Sequence, residues 1–165
     1  MTDTRVKFKT RETIAQIEES DDLAPKFDEH GLLPAVTTDF ASGELLVQGC
    51  MDREALKKTI ETGEAHYFSR SRSVLWHKGA TSGLVQKIRE LSIDDDQDCV
   101  WLRVEVIGSA SCHVGYRSCF YRRVPVGDEF RRKTQDGDIA LEFTDTEKVF
   151  DPAEVYGDAP NPTIL

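Results

Sequence analysis

Residues 31–63 read GLLPAVTTDFASGELLVQGCMDREALKKTIETG, and the fold class follows from them. Ala35–Thr38 and Leu45–Gln48 are short runs of strand-forming residues, and Ser42-Gly43 supplies turn chemistry in the Asp39–Glu44 connection between them. Asp52 stands where a helix N-cap belongs, ahead of Arg53–Thr62. Within that span Ala55, Leu56, Thr59 and Ile60 fall on one face, the expected buried stripe, and Gly63 ends the helix. Two strands folded back on each other and then one capped helix are the start of a mixed α and β unit.

Working outward, the chain adds strands rather than helices. Ala65–Phe68 and Val74–Trp76 are short strand candidates, Val85–Ile93 and Cys99–Val106 longer ones, and Ser118–Arg122 a last one. The class predicted is α+β: a small mixed, mainly antiparallel sheet domain with one main helix, over residues 31–123. There are no internal repeats. Residues 1–30 read as an N-terminal appendage, solvated and partly packed on the core, with a short helix across Thr10–Ser20. Residues 124–165 read as an acidic C-terminal extension. Arg131-Arg132-Lys133 is expected in a loop, Asp136-Gly137-Asp138 in a turn and Ile139–Phe143 as an edge strand. Pro152, Pro160 and Pro162 suit a segment that drapes or frays.

The 165 residues fit one domain and are enough for a real core. No run of about 18 apolar residues exists, which excludes a membrane-spanning helix. MTDTRVKFKT has no apolar stretch of the secretory kind, so a cytoplasmic location is expected. The formal charge of −9 argues against general nucleic-acid binding. That excess sits at the two ends: residues 1–30 carry a net −3, residues 124–165 a net −6, and residues 31–123 balance. The four cysteines, Cys50, Cys99, Cys112 and Cys119, are expected as thiols or metal ligands rather than disulfides.

Three constellations offer chemistry. The first is Asp94-Asp95-Asp96-Gln97-Asp98, four carboxylates in five residues. On an extended backbone Asp94, Asp96 and Asp98 share one face, a donor set suited to a hard cation such as Mg²⁺; an acidic turn in solvent is the alternative. A calcium loop would need glycine at its sixth position, where Cys99 stands. The second spans Ser111–Arg122, in which Cys112, His113 and Cys119 are of the residue types that ligate Zn²⁺. The third runs through Phe68-Ser69-Arg70-Ser71-Arg72 to Trp76-His77-Lys78-Gly79-Ala80-Thr81-Ser82-Gly83. Its guanidinium groups, ammonium, hydroxyls and glycine amides would make a phosphate cradle, and Trp76 a surface for a base. Alone, it would pass for a polar surface loop.

Together these stretches resemble the phosphoribosyl-AMP cyclohydrolase family of histidine biosynthesis. The matching segments are Gly31–Ala35, Met51–Leu56, Thr62–Arg72, Leu75–Gly83 and Cys112–Arg122, in colinear order over about residues 31–123, with neither terminal segment taking part. The resemblance implies hydrolytic opening of the adenine ring of N1-(5-phosphoribosyl)-AMP at its C6–N1 bond. It implies an intertwined homodimer with active sites at the subunit interface, zinc and magnesium as cofactors, and a phosphorylated nucleotide as substrate. Carried over residue by residue, Asp94, Asp96 and Asp98 match the magnesium ligands and Cys112 and Cys119 two zinc ligands. His113 matches the motif histidine, with acid/base or metal-side duty. Arg70, Arg72, Trp76, Lys78 and Ser82 would bind substrate.

One position departs from the pattern. The family's run is Asp-Cys-Asp-x-Asp, and Asp95 occupies its cysteine position here. Asp95 can ligate zinc through oxygen; Cys99 can serve if the backbone loops, being otherwise about 13 Å further along a strand. A changed metal or activity is the third reading. The competing functions are a divergent zinc-dependent hydrolase acting on another purine-like heterocycle, and a non-catalytic metal- or nucleotide-binding module.

Overall fold

The computed structural model describes residues 5–108 and 110–165. In chain order these form α1 (Ile14–Glu19), β1 (Leu32–Asp39), β2 (Leu45–Asp52), α2 (Arg53–Thr62), β3 (His66–Ser69) and β4 (Val74–His77). There follow β5 (Gln86–Ile93), β6 (Val100–Val106), β7 (Arg122–Arg123), α3 (Asp128–Lys133), β8 (Glu142–Phe143) and α4 (Pro152–Tyr156). The main sheet has the order β2-β1-β6-β5. Its β1–β2 and β5–β6 pairs are antiparallel and its β1–β6 pair parallel, so the sheet is mixed and mainly antiparallel. β3 and β4 form a separate antiparallel hairpin. None of the described helices is long and apolar enough to cross a membrane.

Alternation along the strands builds the core. Leu33 and Ala35 of β1, Met51 of β2, and Val100, Leu102 and Val104 of β6 alternate to one side, and Leu46 joins this core where the β1–β2 register shifts at Thr37/Thr38. There they meet Ala55 and Leu56 of α2 together with Ala65 and Tyr67. The helix is bounded as its sequence predicts. The Asp52 carboxylate accepts from the Ala55 N–H at 2.8 Å, and Gly63 takes the left-handed backbone (φ 70°) that closes the last turn. Ala55, Leu56 and Thr59 are buried, but Ile60 is 39% exposed, because the covering sheet reaches only three positions of the stripe.

The terminal segments are more tightly engaged than a frayed appendage. Phe8 and Phe27 pack on the core, Ala24 is fully buried, and the Lys9 N–H donates to the Leu23 carbonyl. The α1 helix is shorter than expected and carries a capping box from Thr13 and Gln16. At the other end the Ser118–Arg122 strand does not form; pairing is confined to Arg122–Arg123 with Glu142–Phe143. The Ser118 hydroxyl bonds the Leu45 carbonyl (2.6 Å) and accepts from the Phe120 N–H (2.9 Å), giving the backbone a local alternative to a ladder. The Arg131-Arg132-Lys133 run is helical within α3, where Lys133 bonds Glu129 one turn earlier and all three cations lie at the favourable end of the helix.

Candidate active site

The aspartate run is a turn, not a strand. The Gln97 N–H donates to the Asp94 carbonyl (3.1 Å), Gln97 itself takes φ 57°, and Asp94 Oδ1 accepts from the N–H groups of Asp98 and Cys99 at 2.9 and 3.0 Å. The alternating face expected for Asp94, Asp96 and Asp98 is therefore replaced by a knot of carboxylates. Oxygens of Asp94, Asp95 and Asp96 lie within 4.8 Å of one another, and Asp98 borders both Asp94 and Asp96. The Asp98 carboxyl is pushed up by lost solvation and by those two neighbours. Cys99 joins the turn through its N–H, bonded to Asp94 Oδ1, while its thiol lies 3.8 Å from the Val100 carbonyl; burial, then the charges of Asp94, Asp98 and Asp96, raises the thiol.

The turn is fastened from the N-terminal segment. The Gln97 side chain, buried, donates to the Ile17 and Asp22 carbonyls (both 3.0 Å) and accepts from the Ala24 N–H (2.8 Å). Arg11 donates to the carbonyls of Ala24 (2.6 Å) and Asp96 (2.9 Å). Neither residue stood out in the sequence. A glutamine among carboxylates carries no mark of a left-handed turn residue, and its partners lie more than 70 positions away.

The thiol loop lies at the other end of β6. The Ser111 N–H donates to Arg117 (3.0 Å), Cys112 to Tyr116 (3.2 Å), and Cys119 to Leu46 of β2 (2.7 Å). Cys112 is buried and Cys119 half-buried. The two thiols act on each other: Cys119 draws Cys112 down to about 6, while Cys112 and then burial push Cys119 well up. His113 Nε2 is buried with no partner among the described residues. Burial, then the nearby Lys78 charge, holds the imidazole below its ordinary value, so it is neutral at pH 7. The acidic tail braces this loop: Val149 donates to the Gly115 carbonyl (2.7 Å), and Tyr121 stacks on Tyr116 and packs against Phe143.

The third constellation divides in two. Arg70 and Arg72 are exposed in the β3–β4 turn, and Arg72 lies 5.8 Å from the Trp76 ring centre, so Arg72 and Trp76 share one surface. Ser82 accepts from the Leu84 N–H (3.2 Å) inside the glycine turn. Lys78 is not a surface cation. It is 2% exposed, and its Nζ donates to the Ser111 carbonyl at 2.7 Å, because the end of β4 points it into the protein beneath the thiol loop. Near the hairpin, His77 Nε2 bonds the Glu64 carboxylate (2.7 Å) and stacks on His66 at 4.4 Å.

Neither donor cluster completes a mixed site in one chain. Among the described residues the thiols gather no third His, Cys, Asp or Glu ligand around them. The seven residues of β6 separate the two clusters by about 20 Å of strand.

Comparison with known proteins identifies this arrangement. The family model for phosphoribosyl-AMP cyclohydrolase matches residues 47–121. A phosphoribosyl-AMP cyclohydrolase of Rhodopseudomonas palustris (strain BisA53) is 52% identical over 140 residues, 85% of this chain and 90% of that protein. One from Bradyrhizobium diazoefficiens is 51% identical over 141 residues, 86% and 94% of the two chains. One from Rhizobium leguminosarum bv. trifolii is 48% identical over 142 residues, 86% and 89%. Each aligned span is longer than residues 31–123, so the likeness extends into the terminal segments, contrary to the narrower extent read from the motifs. The chain belongs to the phosphoribosyl-AMP cyclohydrolase family.

Proposed function

We propose that this chain hydrolyses N1-(5-phosphoribosyl)-AMP at the C6–N1 bond in histidine biosynthesis, in the cytoplasm, as a homodimer whose active sites lie between subunits. What carries the reading is the close likeness, over most of the chain, to proteins named for that reaction. The shared site is supported by the placement of the two donor clusters at opposite ends of β6. A metal held by both must take the thiols of one copy and the turn of another.

The donor chemistry fits zinc at the loop: two thiols that act on each other, with an unpartnered imidazole nitrogen on the adjoining residue. Cys112 and Cys119 would hold it, with Asp95 or Cys99 of the second copy as the further protein ligand. Asp94, Asp96 and Asp98 would hold magnesium, an all-oxygen set. Zinc, when bound, would acidify a water towards neutral pH and make it competent to add at C6 of the purine.

The chain's own groups account for the rest. Neutral His113 can take the proton that water loses and deliver it to N1 as the C6–N1 bond breaks, leaving C6 as a carboxamide carbon. Arg70 and Arg72, both exposed and Arg72 beside Trp76, would hold the substrate's phosphates, and the Trp76 ring would flank the base.

Purified protein supplied with Zn²⁺ and Mg²⁺ should turn over phosphoribosyl-AMP, followed by absorbance, and should rescue a histidine auxotroph lacking this step. Soluble, zinc-loaded protein that does neither would shift the assignment to a hydrolase of another heterocycle, or to a non-catalytic binding module.

A further inference from the structure

The phosphate-cradle motif contains one residue that its proposed function does not use as expected. Lys78 follows β4 directly, yet its ammonium lies inside the protein, 4.9 Å from the Trp76 ring centre and bonded to the Ser111 carbonyl. An ammonium has three donors, and burying one without compensation costs several kcal/mol. None of the ion pairs among the described residues includes Lys78. The groups that act on its charge are the sulfurs of Cys112 and Cys119, in the loop that its ammonium tethers.

A second observation converges on the same residue. Thr37 Oγ1 and Tyr67 Oη lie 2.7 Å apart, the Tyr67 hydroxyl donates to Gln86 Oε1 at 2.6 Å, and Gln86 Nε2 donates to Ser111 Oγ at 3.2 Å. All four residues are at most 2% exposed. The Tyr67 ring can lie flat on β2 because position 49 is glycine; a Cβ there would stand 2.8 Å from Tyr67 Cδ1. Strands β1, β3 and β5 thus feed a buried polar chain into the Ser111 hydroxyl, while Lys78 takes its carbonyl. Both polar ends of the residue before Cys112 are tied down. Buried polar networks are costly unless every member is satisfied, and this one spends that cost on a single loop.

We propose that Lys78 is a positioning residue of the metal loop: by tethering Ser111, the residue before Cys112, with its buried side chain, it preforms the sulfur pair for zinc, and it does not bind substrate phosphate. This rests on the reading of Cys112 and Cys119 as zinc ligands. In a functional sense it moves Lys78 from the substrate to the support of the metal, leaving Arg70 and Arg72 as the exposed cations of the motif.

The test is zinc affinity, measured by competition with a chromophoric chelator, alongside kcat and KM for phosphoribosyl-AMP. Lys78→Met, which keeps the side-chain length, should weaken zinc binding about 10- to 100-fold, as loss of a group supporting a metal ligand does. With zinc restored to saturation, its KM should stay within about threefold of the parent, because no substrate contact has gone. Lys78→Arg should recover part of the affinity by keeping a donor for the Ser111 carbonyl. Gln86→Leu should weaken zinc binding in the same direction through the other end of Ser111. Unchanged zinc affinity with a KM raised tenfold or more would overturn the proposal and return Lys78 to the phosphates. If Lys78→Met does not fold, the Arg and Leu variants decide: parental zinc affinity in both overturns it. Cys112→Ser in the same assay separates the two levels of the argument, since full zinc retention there sinks the metal loop itself.

Discussion

The two ends of strand β6 hold their chemical groups in opposite surroundings. At one end the carboxylates sit in an exposed turn, with Asp94 accepting from residues four and five positions on and the N-terminal segment holding it from outside through Gln97 and Arg11. At the other, Cys112 and Cys119 lie in a loop positioned by side chains from β1, β3 and β5 and by the residue after β4. The first cluster is exposed and mutually repulsive, a set of ligands that gains by meeting a cation. The second is buried and already paired. A charged, solvent-facing cluster can be presented to a partner molecule, while a preformed sulfur pair can receive it. The contrast suits a site assembled from two copies.

The largest effect should come from separating the halves. Cys112→Ser and Asp94→Asn should each reduce activity to near background. If the site is shared, mixing the two inactive proteins under conditions that allow subunit exchange should restore about a quarter of parental activity, since half of the dimers are mixed and each has one intact site. Mixtures that stay inactive while exchange is demonstrated by mass would show that each chain builds its own site.

The turn also sharpens the question of the third zinc ligand. Because the backbone loops, the condition under which Cys99 could serve is met: its N–H is bonded to Asp94, whose oxygens cluster with those of Asp95. Asp95→Cys should raise zinc affinity if Asp95 ligates, since thiolate is the stronger donor for zinc. Cys99→Ser should lower it, by a comparable factor, only if Cys99 does. Metal titrations of the two variants in parallel assign the position, and no change in either would remove the turn from the zinc site.

A third prediction concerns stability rather than activity. Gln97→Ala removes three hydrogen bonds from a buried side chain, leaves the Ala24 N–H and two carbonyls without it, and places alanine at φ 57°; the cost should be about 3 kcal/mol. Denaturant unfolding gives the value directly. Proteolysis should then begin in the N-terminal segment, which loses its anchor to the turn. A cost below about 0.5 kcal/mol, the level of an ordinary surface substitution, would show that the segment is held elsewhere.

How much of this was legible follows from where each feature's causes lie. α2 could be read with both boundaries, because Asp52, the apolar stripe and Gly63 act within a dozen residues. Most strand positions could be read because alternation is local, whereas the sheet order that places β6 beside β1 could not. The Asp94–Asp98 run admitted both a strand face and an acidic turn; the turn forms, held by a left-handed Gln97 and by carbonyls of Ile17 and Asp22 that the local sequence does not reveal. Lys78 was read by its neighbours as a phosphate ligand, when its direction is set by β4 and by a loop more than 30 positions on. Gln86 did leave a trace: it is a polar residue at an inward position of a strand otherwise facing the core with Ile88, Leu91 and Ile93. Such an interruption of alternation marks a buried hydrogen bond whose partner only the fold supplies.

The smallest effect tests the hairpin that lies between the two clusters in sequence. His66 is buried, and desolvation lowers it below the ordinary histidine value, outweighing the bond from its ring to the Glu64 carbonyl. The unfolded chain therefore binds a proton at this position at a pH where the folded chain does not. Since stability rises with pH wherever the unfolded state holds more protons, His66 contributes stability that is fully present above pH 6.5. That contribution is lost progressively as pH falls, until the folded-state ring also protonates. His113 is lowered in the same sense, so a single substitution should reduce the response rather than abolish it. His66→Asn should leave the melting temperature at pH 8 within a few degrees of the parent and flatten its decline between pH 6.5 and 5. A decline as steep as the parent's would show that His66 does not carry the response.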